Sequence, residues 1–191
     1  MTTQQTAIPS QHRDIASSSD PSVVEQAHRA GIYSLLGALL RDYPNGEVLA
    51  YTAQLGDTEK AGPELEVAVS MLGLAARHTS PDAIREEYHA LFIGLGRGEL
   101  VPYGSWYQTG FLMEKPLGIL RADLARLGFE RNDDVHEPED HIAALCEVMA
   151  FLIGDAASFD VQRAFLESHL GNWGPDFFSD LEKADSACFY R

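Results

Sequence analysis

Apolar residues recur every three to four positions along most of the chain, which is the spacing of a helix face. The first such stretch follows Asp20-Pro21, a capping residue and a proline suited to the first helical turn, and it ends at Tyr43-Pro44. Further helices are predicted from Glu47 to Leu55, from Pro63 to about His78, and after Ser80-Pro81-Asp82. The apolar face of the fourth helix consists of Ile84, Tyr88, Leu91 and Phe92.

The helical period breaks at a glycine- and proline-rich stretch from Gly94 to Ser105 and resumes after it. Pro116 and Pro138 each open a predicted helix, residues 157–170 form another, and the last begins near Pro175. No stretch alternates β-branched residues with the period of two that a strand requires. The pattern therefore predicts an all-α fold, a single-domain helical bundle of about eight or more helices.

The two ends of the chain differ in pattern. Residues 1–20 are polar, rich in Ser, Gln and Thr, and lack periodicity, so we expect a disordered tail before a helical domain over residues 21–191. At the other end, the pattern still looks helical as far as Phe189. We therefore expect either that the last helix is short or that a few further helical turns follow Arg191 in the complete protein.

Composition adds a strong acidic bias to this picture. Hydrophobic residues make up 45% of the chain, enough for a core, but the formal net charge is −15. This sign disfavours nucleic acids and anionic membrane surfaces and favours a basic partner, although solubility alone explains the charge more simply. The N-terminal segment lacks the features of a secretory signal, and no apolar run approaches the roughly 20 residues of a membrane span. We expect a cytoplasmic protein without stable membrane insertion.

Candidate catalytic and metal-binding motifs are weak. Seven histidines include no HExxH pair, and the single ExxH match, Glu86 to His89, arises easily by chance, so we expect no metal and no cofactor. The two cysteines form no CxxC motif, and Cys146 falls on an apolar helix face. Ser105 could pair with His141, but no third residue is evident to orient them. We therefore expect a protein that is not an enzyme.

Acidic residues concentrate between Phe129 and Asp160. This segment holds nine Asp and Glu residues and one basic residue, Arg131, and so carries a net charge of −8. The helix dipole accounts for acids such as Glu139 and Asp140 in a first helical turn, but not for all nine. The excess predicts an anionic surface that receives a cationic segment, ideally one with arginine.

Three aromatic residues, Tyr103, Trp106 and Tyr107, follow Pro102 closely beside glycines. They either plug the core beneath a long connection or line a groove for an apolar peptide. The sequence pattern leaves both interpretations open.

Three segments together resemble a known family. They are Glu87-Tyr88-His89-Ala90-Leu91-Phe92, the run Gly96-Arg97-Gly98-Glu99-Leu100-Val101-Pro102-Tyr103-Gly104-Ser105-Trp106-Tyr107, and Pro138-Glu139-Asp140-His141-Ile142. In this order they resemble the TorD/DmsD/NarJ family of cytoplasmic chaperones for molybdenum-cofactor oxidoreductases. The resemblance covers about residues 25–190. The second segment and the run after Glu137 are most similar to members associated with formate dehydrogenases.

This resemblance implies a helical chaperone, as a monomer or a domain-swapped homodimer. Its partners would be an apo molybdoenzyme catalytic subunit and the twin-arginine signal peptide, or another N-terminal segment, of that subunit. The family's binding determinants correspond here to Tyr103, Ser105, Asp140 and His141. Where the family often has a glutamate, four residues before the Tyr of YxxLF, this chain has Ile84.

The charge pattern and the resemblance combine into one hypothesis about peptide binding. Asp140, with Glu139, would pair with the arginines, while the loop aromatics would meet the apolar part of the peptide. His141 would either titrate near neutrality and tune release or serve as a structural histidine. The full candidate set is Tyr88, Phe92, Pro102, Tyr103, Ser105, Trp106, Tyr107, Glu139, Asp140 and His141. Two alternatives are a helical metal-binding protein that uses His89, His136 or His141, and an assembly subunit without a peptide groove.

Overall fold

The computed structural model describes residues 21–55, 63–94, 97–130 and 137–191. Within these ranges it contains nine α-helices, one short π-helical turn and no strand, which confirms the all-α fold. The expected tail over residues 1–20 lies outside the described residues. The helices are α1 Pro21–Arg41, α2 Gly46–Gln54, α3 Pro63–His78, α4 Pro81–Tyr88 with the π-helical turn His89–Ile93, α5 Gly104–Thr109, α6 Lys115–Arg126, α7 Ile142–Gly154, α8 Phe159–His169 and α9 Gly174–Lys183.

Helix starts are set by local capping chemistry. The side chains of Asn45, Ser80 and Ser158 each accept a backbone N–H of the first turn of the helix that follows. Prolines occupy the first turn of α4, α6 and α9, where a missing N–H costs nothing. Among these signals, the prolines of α4, α6 and α9 are those from which the sequence pattern predicts helix starts.

Helix α7 forms the centre of the bundle. It packs along α1, and Gly37 of α1 makes the close approach possible, since an added Cβ would lie 2.9 Å from Glu147 Cγ and 3.5 Å from the carbonyl oxygen of Ala143. The buried face of α7 meets side chains from α6, α8 and α9 in the main core. A smaller apolar cluster joins α1, α2, α3 and α4 to Phe189.

The last helix ends at Lys183, so its extension to Phe189 is not observed. The carboxylate of Glu87 accepts the backbone N–H groups of Cys188, Phe189 and Tyr190 at 2.7–3.0 Å. These amide groups are therefore withdrawn from any helical hydrogen bonding. Phe189 is buried in the core as part of a non-helical segment.

Two kinds of feature are absent from the described ranges. There, no helix is both long and apolar enough to cross a bilayer. Nor does any group of three or more His, Cys, Asp or Glu side chains form a candidate metal site in those ranges. His136, one of the residues of the metal-binding alternative, lies outside the described residues.

Candidate functional site

Two segments that are distant in the sequence pair with each other at the starts of α5 and α7. The Gly104 N–H donates to the Asp140 carbonyl at 2.9 Å, and the Ile142 N–H donates to the Pro102 carbonyl at 2.9 Å. These bonds form an isolated antiparallel bridge between Tyr103 and His141. The loop and the acidic motif are thus brought together, although the expected long loop is shorter, because residues 104–109 form helix α5.

Asp140 lies inside this junction, with only 3% of its surface exposed. Its Oδ2 accepts the backbone N–H of Ser105 at 2.7 Å, which satisfies a donor in the first turn of α5. Its Oδ1 is buried and has no hydrogen-bond partner among the described residues. An unsatisfied buried oxygen of this kind costs free energy, so Asp140 is a strong acceptor for any donor that reaches it.

His141 caps α7 instead of facing solvent. Its Nδ1 accepts the Ala143 N–H at 3.2 Å, and the Tyr103 ring packs edge-on against it with centroids 5.0 Å apart. Burial, with a smaller contribution from Arg41, lowers the pKa of His141 to about 3. The imidazole is therefore neutral near pH 7. Of the two roles considered for His141, the structure favours the structural one over titration near neutrality.

The acidic cluster is partly neutralised by arginines from other helices. Arg41 of α1 donates Nε and Nη2 to the two oxygens of Glu147 at 3.1 and 2.6 Å, and Nη1 to Glu137 at 3.0 Å. Arg121 of α6 binds Glu139 Oε2 through Nε at 2.9 Å and through Nη2 at 2.8 Å. Glu139 is already engaged by an arginine of its own chain, so its expected pairing with a peptide arginine would require this internal pair to open.

Several of the candidate aromatic residues pack inward. Tyr88 is buried and its hydroxyl donates to the Arg41 carbonyl at 2.9 Å. Phe92 contacts the ring of Tyr190 at a centroid distance of 5.7 Å. The Tyr107 ring stacks on Trp173 at 5.5 Å, and burial beside Asp180 raises the pKa of its hydroxyl. These side chains therefore fill the core and do not line a groove.

The remaining candidates divide between interior and surface. Pro102 and Ser105 are buried, and Ser105 Oγ accepts the Met113 N–H at 3.2 Å. Tyr103 and Trp106 are half-buried, and the Arg97 guanidinium lies 5.0 Å from the Trp106 ring centroid. Tyr103 and Trp106 are therefore the loop aromatics that keep partly accessible faces.

A cavity of about 320 Å³ adjoins Asp140. The residues that line it come from α5, α6 and α8 as well as from this motif, and they are Gly104, Gln108, Thr109, Lys115, Pro116, Ile119, Leu120, Asp140, Ser168 and His169. His169 is held by a 2.8 Å contact from its Nε2 to Asp123 Oδ2. The sequence pattern missed Lys115, Ser168 and His169, since no motif links these helix-borne residues to Asp140.

Comparisons with known proteins identify the family of the chain. A family model described as the nitrate reductase delta subunit matches residues 58–179. The chain belongs to this family. A protein from Vibrio atlanticus named chaperone protein TorD is 29% identical over 184 residues, covering 85% of this chain and 86% of that protein. A second TorD chaperone, from Vibrio parahaemolyticus, is 24% identical over 164 residues, covering 79% of this chain and 76% of that protein.

A solved structure from Archaeoglobus fulgidus, described as a redox enzyme maturation protein, has the same fold as this chain. It aligns with a TM-score of 0.56 and 18% identity over 86% of each chain. The family match and the TorD relatives confirm the resemblance derived from the three sequence segments. They also confirm that the chain groups with chaperones and not with catalytic enzymes.

Proposed function

We propose that this protein is a cytoplasmic redox-enzyme maturation chaperone. It binds the twin-arginine signal peptide, or another N-terminal segment, of a molybdenum-cofactor oxidoreductase subunit and holds that subunit until the cofactor is inserted and the enzyme is assembled. The family membership and the TorD relatives support the chaperone role. Support for a formate dehydrogenase as client comes from the Gly-Arg-Gly-Glu-Leu sequence at residues 96–100 and the run after Glu137.

The observation that carries the peptide-binding proposal is the half-satisfied carboxylate of Asp140 beside the cavity. One oxygen stabilises the start of α5 through Ser105, and the other is buried without a partner among the described residues. A guanidinium suits this acceptor because it carries several N–H donors in a plane and stays charged at any physiological pH. One oxygen of Asp140 would thus stabilise the fold, and the other would bind the ligand.

The walls of the cavity also suit an arginine side chain. Pro116, Ile119 and Leu120 provide apolar surface for the methylene groups of the arginine, while the carboxylate meets its charged end. Tyr103 and Trp106 offer partly accessible rings in the adjoining segment. Tyr88, Phe92, Tyr107 and the other inward-facing candidates would act by holding this junction in shape.

Calorimetric titration with a synthetic peptide tests the proposal. The peptide carries two adjacent arginines followed by an apolar Leu/Ala stretch, and a second version carries lysines in place of the arginines. Asp140→Asn is the informative variant, because the amide oxygen can still accept the Ser105 N–H while the negative charge is lost. We expect this variant to bind the arginine peptide at least about tenfold more weakly, the loss of a charge-assisted bond.

Asp155→Asn is the matched control, since Asp155 is an exposed acid in the same acidic segment and does not line the cavity. It removes the same charge and should change the affinity by less than about twofold. Equal affinities for wild type and Asp140→Asn, or equal losses in both variants, would contradict binding at Asp140. Failure of the wild type to bind either peptide would favour an assembly subunit without a peptide groove.

A further inference from the structure

Three consecutive apolar residues stand exposed between α5 and α6. Phe111, Leu112 and Met113 are 68%, 45% and 70% exposed, and we call them the apolar tip. Single exposed apolar residues are ordinary on protein surfaces, whereas contiguous exposed apolar residues are a feature of interaction sites. The burial of the aromatic loop residues makes the apolar tip the more accessible hydrophobic surface near Asp140.

The backbone holds the apolar tip outward. Gly110 ends α5 in the left-handed conformation with φ of 80°, and Met113 has φ of 60°, which residues with a Cβ rarely adopt. Thr109 Oγ1 accepts the Phe111 N–H at 3.2 Å. The two left-handed residues, Gly110 and Met113, therefore define the turn that carries the apolar tip.

The apolar tip is tied directly to the cavity beside Asp140. Ser105 forms the link, because its N–H donates to Asp140 Oδ2 at 2.7 Å and its Oγ accepts the Met113 N–H at 3.2 Å. Just beyond the tip in the sequence, Pro116 and Ile119 line the cavity, and Ile119 is 50% exposed. An acidic acceptor and an apolar surface are therefore neighbours.

We propose that the apolar tip, with Ile119, binds the apolar stretch that follows the arginines in the same client segment. This inference rests on the proposed function and adds the second half of the recognition. A cation that enters the cavity places the next residues of its chain beside the apolar tip. Recognition then requires both chemistries in one peptide, a positive charge followed by apolar side chains.

Other occupants fit this surface less well. A second copy of the chain would bring together two molecules of net charge −15, and a tip of three residues is far smaller than the roughly 800 Å² per partner that stable interfaces bury. An anionic lipid surface would repel the same acidic protein. Charge complementarity therefore favours a cationic and apolar peptide.

The test combines two peptides with two double variants in calorimetric titrations. One peptide carries two adjacent arginines and a Leu/Ala stretch, and the other carries Ser and Gly in place of that stretch. Phe111→Gln with Met113→Asn removes the two most exposed side chains of the apolar tip, and asparagine tolerates the left-handed conformation at position 113. Val67→Gln with Met71→Gln removes two similarly exposed apolar side chains from α3 and serves as the control.

We expect wild type and the α3 control to bind the Leu/Ala peptide about tenfold or more tightly than the Ser/Gly peptide. The tip variant should lose most of this preference, because only Leu112 and Ile119 remain to contact the Leu/Ala stretch. A tip variant that keeps the wild-type preference overturns this inference alone and leaves binding at Asp140 intact. A wild-type protein that binds neither peptide overturns both the inference and the proposed function.

Discussion

Glu87 and Phe189 are joined by a 3.0 Å hydrogen bond from the Phe189 N–H to Glu87 Oε2, although they are 102 residues apart in the sequence. Glu87 Oε1 accepts the two flanking N–H groups, from Cys188 and Tyr190, so one carboxylate anchors three successive amides. Glu87 belongs to the YxxLF segment that carries the family resemblance. Its place in the structure is thus to fasten the C-terminal segment to α4.

Glu87→Ala is expected to lower the free energy of unfolding by about 3 kcal/mol, because three buried or half-buried amides lose a charged acceptor. Glu87→Gln should lose less, since one oxygen remains to accept. Urea denaturation measures both. Glu86→Ala serves as the control on the neighbouring exposed position and should change the stability by about 0.5 kcal/mol or less. A loss in Glu87→Ala no larger than in the control would contradict the anchoring role.

The lowered pKa of His141 predicts that the stability of the fold depends on pH. Its pKa is about 3 in the folded protein, against a usual value of 6.5, so the fold favours the neutral ring. Well above pH 6.5 the ring is neutral in both the folded and the unfolded state, so its titration costs the fold no stability. Below that, the unfolded chain binds a proton that the folded chain does not, and stability falls by about 1.4 kcal/mol per pH unit down to about pH 3.

His141→Asn isolates this contribution, because asparagine can also cap α7 but does not titrate. Between pH 6.5 and pH 5 the wild type should lose about 2 kcal/mol more than the variant in urea denaturation. Other titrating groups contribute to both proteins and cancel in the difference. Parallel stability curves for the two proteins would show that His141 does not remain neutral in the fold.

The helices could be predicted because their signals are local. Capping residues, first-turn prolines and the spacing of apolar residues act within one or two turns, and they indicate α4, α6 and the start of α9 correctly. Helix α5 has only six residues, too few for a period to show. The non-helical end after Lys183 depends on Glu87, which is about a hundred residues away in the chain, so the continuing pattern of apolar residues was misleading.

The candidate site, too, could be predicted from the sequence only in part. The three family-like segments identify Asp140 and the loop, and the structure brings these together through the Tyr103–His141 bridge. The charge count along the chain could not show that Arg41 and Arg121 fold back onto the acidic segment. Pairing across helices is a tertiary property, and it changes which of the acidic side chains a partner could reach.

Lys115 provides a separate electrostatic test of the cavity. It is the first residue of α6, it is exposed, and it lines the same cavity as Asp140. A positive charge there repels an incoming guanidinium. Lys115→Gln should therefore bind the arginine peptide about two- to fivefold more tightly, the magnitude of an exposed charge interaction. Because steering acts on encounter, most of the gain should come from faster association, measured by stopped-flow mixing.

The salt dependence separates this effect from a change in shape. Near 1 M salt, where charges are screened beyond about 3 Å, wild type and Lys115→Gln should bind equally. Lys183→Gln is the control, since it removes the same charge from α9 at an exposed position that does not line the cavity. An unchanged or weaker affinity in Lys115→Gln at low salt would place the guanidinium outside this cavity, because Lys115 and Asp140 line the same cavity.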